Sequence, residues 1–307
     1  MDLSIIIINW NVKELLSNCL QALLDACQAS PGLIAEIIVV DSASTDGSPD
    51  MVQAEFPQVR LIRSDENLGY ARGNNVGVGA AQGRYLFLLN PDTVVKPAAL
   101  GHLVGYMEMH PRVGAVGPQL LWPDGTVQSS RRRFPTLGSL FWESTLPGQW
   151  FPTNRHARRY HVADRSAGWT QCVDWIVGAA ILIRRAAWAE VGPIEERFFM
   201  YFEETDWCRR ADEAGWSIHY LPGAQVIHFE GKSSEQVPLA RTLRFQRSKI
   251  EYTRKYFGRR WATTLRLFLW LTFAAQWLEE SLKWLLGHRR SLRRERISTY
   301  GRVLREL

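Results

Sequence analysis

Residues 3–9 read LSIIIIN, an unbroken apolar run that is rich in β-branched side chains. A run of this length and composition predicts a strand that is buried on both faces, as in a parallel sheet. Runs of the same kind then alternate with stretches of helical spacing, at residues 12–27 (helix), 36–40 (strand), 49–55 (helix), 59–63 (strand), 75–81 (helix), 84–89 (strand) and 96–110 (helix). The alternation predicts an α/β fold with a doubly wound, mostly parallel sheet that is flanked by helices.

Polar residues follow the predicted strands. Asn9 and Asn11 come at the end of the first strand, Asp41 ends the second, and Asp92 follows the fourth. Ligands of such sheets bind outside the carboxyl ends of the strands, so we expect these side chains at one edge, around one site. Asp41 has a second interpretation, an Asx-turn that closes its strand.

Beyond residue 110 the pattern is less regular. Residues 113–121 predict a strand, and the PDG sequence at 123–125 predicts a hairpin turn. Residues 131–170 are rich in arginine, proline and tryptophan and have weak periodicity, which predicts a long loop over the site. Strand-like runs return at 173–184, with a glycine-alanine break, and at 218–229.

The stretch FFMYFEETDWCRR, at residues 198–210, places three carboxyl groups among aromatic side chains. Glu203, Glu204 and Asp206 are poorly solvated there, so at least one is expected to have a raised pKa and to act as a base near neutral pH. The plainer interpretation is a helix N-terminus, where acidic residues favour the positive end of the dipole and Asp206 pairs with Arg210.

The composition sets outer limits on the class of protein. The 307 residues are 46% hydrophobic, which suffices for one large α/β domain with or without an appendage. The four cysteines form no CxxC pair, which speaks against a zinc knuckle, and they predict reduced thiols. The first strand follows the initial methionine without a basic segment or a cleavage site, so the expected location is the cytoplasm.

The charge is distributed unevenly along the chain. From Arg241 onward there are 17 lysine and arginine residues against 5 aspartate and glutamate residues, whereas residues 1–240 hold 20 against 26. A strongly basic tail indicates a polyanionic partner, either anionic lipid or nucleic acid. No helix-turn-helix, RNA-recognition or zinc pattern accompanies the tail, so nucleic acid is not the expected partner.

Residues 261–286 predict a long, mostly apolar helix. Trp270, Trp277 and Trp284 line one edge of its sparse polar stripe, and five arginines follow at 289–296. An apolar face, an edge of tryptophans and a basic flank predict a helix that lies in the interface of an anionic membrane. The alternative is a helix that docks on the body of the protein or makes a dimer.

Seven short motifs occur in order along the chain: SIIIINWN, VVDSASTDGS, NLGYARGNNVG, FLLNPD, VGAAILIRR, FFMYFEETDWCRR and VIHFEGKSS. Together they resemble inverting glycosyltransferases of family 2, which have the Rossmann-like GT-A fold, and in particular the rhamnosyltransferase-like branch that builds bacterial cell-surface polysaccharides. The resemblance covers roughly residues 1–240. It implies a nucleotide-binding half at about 1–120 and an acceptor half at about 121–240, followed by a helical, basic extension at 241–307.

The resemblance also implies an activity. A sugar, rhamnose from dTDP-rhamnose in this branch, would pass from a dTDP- or UDP-sugar donor to a hydroxyl of a lipid-linked or polysaccharide acceptor at the inner face of the cell membrane. The alternative from a different class is a nucleotide-sugar-binding, non-catalytic partner subunit of a glycosyltransferase complex, because two motifs depart from the family pattern.

Residue by residue, the resemblance assigns two groups of binding positions. The predicted nucleotide-sugar contacts are Asn9, Asn11, Asp41, Asn67, Gly69, Arg72, Asn75 and Asp92, and the predicted acceptor-side residues are Asp174, Trp175 and Gly178. A carboxylate such as Asp41 accepts the imide N–H of a uracil or thymine ring. A glycine-bearing loop from Asn67 to Asn75, with Arg72, suits a diphosphate, although Asn67 is equally well interpreted as a helix cap.

For the metal, the family carries a DxD motif or a reduced form of it, and this chain has Asn90-Pro91-Asp92. With one carboxylate missing, Asp92 is the expected ligand of Mg²⁺ or Mn²⁺, together with the diphosphate and water. His228 matches a histidine that coordinates the same metal in some relatives, and imidazole suits manganese better than magnesium.

For the catalytic base, the family shows Glu-Asp-x-Asp, and this chain has Glu203-Glu204-Thr205-Asp206. Glu204 matches the base, Asp206 is the reserve candidate, and Glu203 belongs to the same acidic group. The implied mechanism is one in-line displacement, in which Glu204 takes a proton from the acceptor hydroxyl and the anomeric configuration inverts.

Overall fold

The computed structural model describes residues 1–145, 154–231, 238–287 and 289–307. Parts of two predicted features, the loop at 131–170 and the last motif at 226–234, lie outside these residues. The chain forms two compact units. Unit 1 consists of Met1–Phe134, His161–Phe199 and Glu203–Ser233, and unit 2 of Pro135–Tyr160, Met200–Phe202 and Ser234–Leu307.

Unit 1 contains twelve strands and six helices among its described residues. The strands are β1 Leu3–Asn9, β2 Ala35–Ser42, β3 Arg60–Ser64, β4 Tyr85–Leu89, β5 Thr93–Val95, β6 Val113–Leu121, β7 Val127–Gln128, β8 Arg131–Arg132, β9 Gln171–Val173, β10 Trp175–Ile176, β11 Ala180–Arg184 and β12 Ser217–His228. The helices are α1 Lys13–Gln28, α2 Ser48–Glu55, α3 Gly69–Ala80, α4 Ala99–Met109, α7 Arg185–Val191 and α8 Glu203–Glu213; unit 2 contributes α5 Leu137–Trp142, α6 Arg155–Tyr160, α9 Pro238–Phe257, α10 Arg259–Leu285 and α11 Arg290–Glu306.

The central sheet has the strand order β3-β2-β1-β4-β11-β6-β12-β5, with β7 and β9 paired to its β6 and β12. Strands β3, β2, β1 and β4 run parallel, and β12 is parallel to β6, whereas β11 is antiparallel to both of its neighbours. Ile5, Ile6 and Ile7 of β1 are fully buried, because helices cover both faces of a sheet of this kind. The α/β prediction is therefore confirmed, with antiparallel strands added in the second half.

One predicted boundary was wrong in a way that matters for the site. The helix expected at 75–81 begins at Gly69, so residues 69–75 are helical and do not form a loop. The glycines of this helix lower its helix propensity, so the sequence pattern did not predict its first turns. They are there for close packing: a Cβ on Gly73 would lie 2.8 Å from the side chain of Ile8 on β1.

The loop predicted at 131–170 was also wrong in part. Its described residues include β8, α5 and α6, and α5 begins at a capping box formed by Thr136 and Ser139. Elements of two to six residues show too few periods to stand out in a sequence. The run at 173–184 is likewise divided among β9, β10 and β11.

In unit 2, helices α9, α10 and α11 share one apolar core. It includes Leu243 of α9, Leu265, Leu269 and Phe273 of α10, and Val303 of α11. The helix predicted at 261–286 is therefore present, and the arginine run that follows it forms the first half of α11. Among the residues that the structure describes, none of the helices has the length and apolar character needed to cross a membrane.

Candidate active site

The carboxyl ends of β1 and β2 meet as expected. Asn9 and Asp41 are register partners, and the Asn9 amide donates to Asp41 Oδ2 at 2.8 Å. The other carboxylate oxygen of Asp41 accepts from the backbone N–H of Ser44 at 2.9 Å, which is the turn contact of the alternative interpretation. Asp41 is 2% exposed. The buried pair builds a rigid polar end to the two strands.

Asn11 fixes the loop that follows β2. Its backbone is left-handed, with φ 53°, and its side-chain oxygen accepts from the N–H of Thr45 at 2.7 Å. Its own N–H donates to Ser44 Oγ at 3.0 Å. Asn9, Asn11 and Asp41 therefore form one connected group at the sheet edge.

The predicted nucleotide-sugar contacts in and just before α3 make different interactions. Asn67 Oδ1 accepts from the Gly69 N–H at 3.0 Å, an Asx-turn contact just before α3, whose N-cap residue is Leu68. Asn75 binds the backbone of Ile194 on both its oxygen and its nitrogen. Arg72 is half exposed and pairs with Glu66 at 2.7 Å. Asn67 and Asn75 thus fix nearby backbone, whereas Arg72 presents a positive charge.

Helix α8 begins with the acidic pair. The two residues before it, Tyr201 and Phe202, have φ values of 72° and 68°, a strained conformation for non-glycine residues and one that is typical of functional sites. Glu203 is 4% exposed. Burial, and then the charge of Glu204, raises the pKa of Glu203 well above its usual value.

Glu204 differs from Glu203 in facing the backbone of Gly178. Its Oε1 faces the N–H of Gly178 at 3.5 Å, and among the described residues its Oε2 has no hydrogen-bond partner. Burial raises its pKa, partly offset by backbone N–H groups. A partly buried carboxyl group with one unbonded oxygen and a raised pKa is suited to accept a proton.

Tyr70, which the sequence reasoning missed, completes this corner. Its hydroxyl donates to the Gly178 carbonyl at 2.5 Å, and burial together with the nearby Glu203 and Glu204 raises its pKa, so it stays a donor. A Cβ on Gly178 would lie 3.3 Å from that hydroxyl and 3.5 Å from Glu204 Cγ. Tyr70 belongs to the third motif, and this was the signal available in the sequence. Its contact with Gly178 joins residues 108 positions apart, so the sequence alone does not predict the contact.

The remaining predicted residues mostly hold structure together. Asp206 is fully buried and pairs with Arg210 at 2.9 Å, which is the ion pair of the plainer interpretation. Asp174 accepts from the Phe134 N–H at 2.7 Å, and Trp175 donates to the Arg133 carbonyl at 3.0 Å. Of the three acidic residues of α8, the geometry therefore favours Glu204 as the base.

Asp92 and His228 lie together, although 136 positions separate them in the chain. His228 Nε2 is 3.5 Å from Asp92 Oδ1, and both side chains are nearly buried. Among the described residues, His228 Nε2 makes no hydrogen bond, and no cluster of three or more histidine, cysteine, aspartate or glutamate side chains is suited to a metal. A buried, unbonded imidazole nitrogen beside a carboxylate fits a two-ligand cation site that is completed by substrate oxygens and water.

The family model for glycosyl transferase family 2 matches residues 4–172, more than half of the chain. The chain belongs to glycosyltransferase family 2. An N-acetylglucosaminyl-diphospho-decaprenol L-rhamnosyltransferase of Mycobacterium tuberculosis is 30% identical over 277 residues, which cover 87% of this chain and 89% of that protein. The rhamnosyltransferase WbbL of Escherichia coli is 28% identical over 171 residues, 52% of this chain and 61% of its own length. These relatives confirm the rhamnosyltransferase-like branch.

Solved structures confirm the fold. A mannosyltransferase from Pyrobaculum calidifontis, solved in complex with GDP-Man and Mn²⁺, has a TM-score of 0.56 to this glycosyltransferase at 15% identity. The match covers 98% of this chain and 84% of that one. The GT-A prediction is confirmed, with a mostly parallel sheet, flanking helices and C-terminal helices.

Proposed function

We propose that this glycosyltransferase moves rhamnose from dTDP-rhamnose to a hydroxyl of a lipid-linked acceptor and inverts the anomeric configuration. The observation that carries the proposal is Glu204, a carboxyl group with a raised pKa, whose Oε1 faces the Gly178 N–H and whose Oε2 has no hydrogen-bond partner within the described parts of the chain. The sugar and the acceptor class are supported by the relatives, since the mycobacterial one is named for L-rhamnosyl transfer to a diphospho-decaprenol-linked sugar.

The proposed step is a single displacement. A Glu204 oxygen takes the proton of the acceptor hydroxyl while that hydroxyl oxygen bonds to the anomeric carbon. The bond from the anomeric carbon to the diphosphate oxygen breaks at the same time, and dTDP leaves with the electron pair. Tyr70 and the Gly178 peptide keep the Glu204 side chain in place, and Asp174 and Trp175 hold the strand segment on the proposed acceptor side.

The donor would lie at the carboxyl ends of β1 and β2. Asp41 would accept the imide N–H of thymine, supported by its bond to Asn9, and Arg72 would exchange Glu66 for the diphosphate. Asp92 and His228 would hold Mn²⁺ or Mg²⁺, whose chemistry there is to neutralise charge on the diphosphate. We assign the catalytic domain to residues 1–240, with donor and acceptor halves that divide near residue 120, and a separate extension to 241–307.

The extension would bring the enzyme to its lipid-linked substrate at the inner face of the cell membrane. Leucines on one side of α10 are more than half exposed: Leu267, Leu271, Leu278, Leu282 and Leu285. Trp284 and the guanidinium of Arg290 stack at the end of this surface, 5.8 Å apart. Apolar contact with flanking positive charge is the chemistry of a helix in an anionic lipid interface.

The test is a transfer assay with dTDP-, UDP- and GDP-sugars and a polyprenyl-diphosphate-linked N-acetylglucosamine acceptor, with the product's anomeric configuration read by NMR. Glu204→Gln is expected to retain donor affinity and to lower kcat by about 10² to 10⁴. The control is Glu213→Gln, at the exposed end of the same helix. A wild-type protein that binds a donor and never transfers its sugar would instead support the non-catalytic partner subunit.

A further inference from the structure

A chain of three hydrogen-bonding side chains lies behind His228, on the side away from Asp92. His228 Nδ1 is 2.9 Å from Gln128 Oε1, and the Gln128 amide nitrogen donates to Glu230 Oε2 at 2.8 Å. Gln128 is 6% exposed and His228 4%. Gln128 lies outside the seven motifs, and Glu230 lies within the last of them, two residues after His228, without a role assigned to it from the sequence.

The donor and acceptor roles in this chain are fixed by its outer end. The Gln128 amide nitrogen is the atom that faces Glu230, since it donates to Glu230 Oε2 at 2.8 Å. The carbonyl oxygen of Gln128 therefore faces His228, and Nδ1 of the imidazole must be the protonated nitrogen. In the neutral imidazole this leaves a lone pair on Nε2, and that atom lies 3.5 Å from Asp92 Oδ1.

Two electron-rich atoms thus face each other across a gap of 3.5 Å. A cation between or beside them removes their repulsion, and a metal-bound histidine characteristically donates its other N–H to a supporting acceptor. We infer that Gln128, held by Glu230, is a positioning residue that sets the His228 tautomer for cation binding. This inference rests on the cation site proposed above and names the residues that prepare it.

The local backbone conformation brings Gln128 and Glu230 to these positions. Gln128 ends the two-residue strand β7, which a hairpin with Gly125 at φ 84° returns against β6. Glu230 has a left-handed backbone with φ 32°, which is uncommon for a non-glycine residue. The Glu230 carboxylate therefore contacts Gln128 from a strained backbone conformation. Backbone strain of this kind is typical of functional sites.

The experiment is titration of the full chain with Mn²⁺ alone, with free Mn²⁺ read by electron paramagnetic resonance. Gln128→Leu is expected to weaken Mn²⁺ affinity by about tenfold or more. The double variant Gln128→Glu with Glu230→Gln is expected to stay within a few-fold of wild type, because it keeps an acceptor for Nδ1–H and reverses the second hydrogen bond. Gln119→Leu is the matched control: Gln119 is also buried, at 8% exposure, and bonds Tyr220.

The outcomes test the cation site and the role of Gln128 separately. If wild type binds Mn²⁺ and His228→Ala does not, the cation site stands, and unchanged affinity in Gln128→Leu would overturn the role of Gln128. Failure of the double variant to recover the affinity lost in Gln128→Leu would overturn it as well. Wild type without measurable Mn²⁺ affinity would overturn the cation site and the positioning role together.

Discussion

Two neighbouring carboxyl groups at the start of α8 differ in what they can do. Glu203 is buried and has an oxygen without a hydrogen-bond partner among the described residues, so it is best accommodated in its protonated form. Glu204 faces the Gly178 N–H with Oε1, and its Oε2 is likewise without a partner in the described structure. Sequence alone treats the two as one acidic group, whereas the structure gives them different surroundings, which support the proposal that Glu204 is the base.

Glu203→Gln is expected to stabilise the fold above acid pH. Because the pKa of Glu203 is raised in the folded state, the folded protein holds a proton that the unfolded chain has lost, and stability falls as pH rises toward the folded pKa. Over that window the wild-type free energy of unfolding should drop by up to about 1.4 kcal/mol per pH unit relative to the variant. Urea denaturation between pH 5 and 8 measures this, and parallel curves for the two proteins would contradict it.

If Glu204 is the base, its ionisation should set the pH dependence of turnover. Since burial raises the pKa of Glu204, kcat/KM should rise with pH to a midpoint above the usual glutamate range of about 4.3. Glu203→Gln should retain that limb. A variant Glu203→Gln without the acid limb would move the role of base from Glu204 to Glu203.

Among the elements, α9 carries an unusual residue. Lys249 is fully buried, and its ammonium pairs with Glu143 at 2.6 Å and donates to Ser144 Oγ at 2.7 Å. Burial lowers the pKa of Lys249, opposed by Glu143. The pair ties α9 to the residues that follow α5, within unit 2.

The two partners of this pair should not be equivalent on mutation. Glu143→Ala leaves a buried, uncompensated ammonium and should destabilise the protein by about 3 kcal/mol. Lys249→Met leaves Glu143, whose side chain is 38% exposed and can be hydrated, so the expected change is within about 1 kcal/mol. Guanidinium denaturation of both variants tests the asymmetry, and the opposite ranking would show that Glu143 is the residue that depends on the pair.

At the scale of the whole molecule, the basic C-terminal region and the exposed leucines of α10 belong to unit 2. The opposite side of α10, with Leu265, Leu269 and Phe273, packs into the core of that unit. Deleting α10 would therefore remove half of the core, so substitutions on the exposed side are the sharper test of membrane contact.

Leu271→Glu with Leu278→Glu is expected to abolish sedimentation with phosphatidylglycerol vesicles and to leave the fold intact, because both leucines are more than half exposed. Wild-type binding should weaken as salt rises, since part of it is electrostatic. Ile34→Glu with Met109→Glu adds the same charge at exposed apolar positions of unit 1 and should bind like wild type. If the leucine variant still sediments, the exposed side of α10 faces a protein partner or a second copy.

The sequence by itself determined the family, the mostly parallel sheet and the placement of Asn9 and Asp41 at one edge of it, because these depend on local apolar runs and on a topology that such runs enforce. The assigned roles of the site residues remain predictions. Short elements within residues 131–170 and the glycine-rich start of α3 were not predictable, since tertiary packing outweighs their weak local propensity.

Only the tertiary structure decided which side chains act together. Tyr70 meets Gly178, Gln128 meets His228, and Asp92 meets the same histidine, across at least 100 residues of chain in each case. Local pattern reflects which face of an element is buried, whereas contacts between distant side chains arise only when the elements pack.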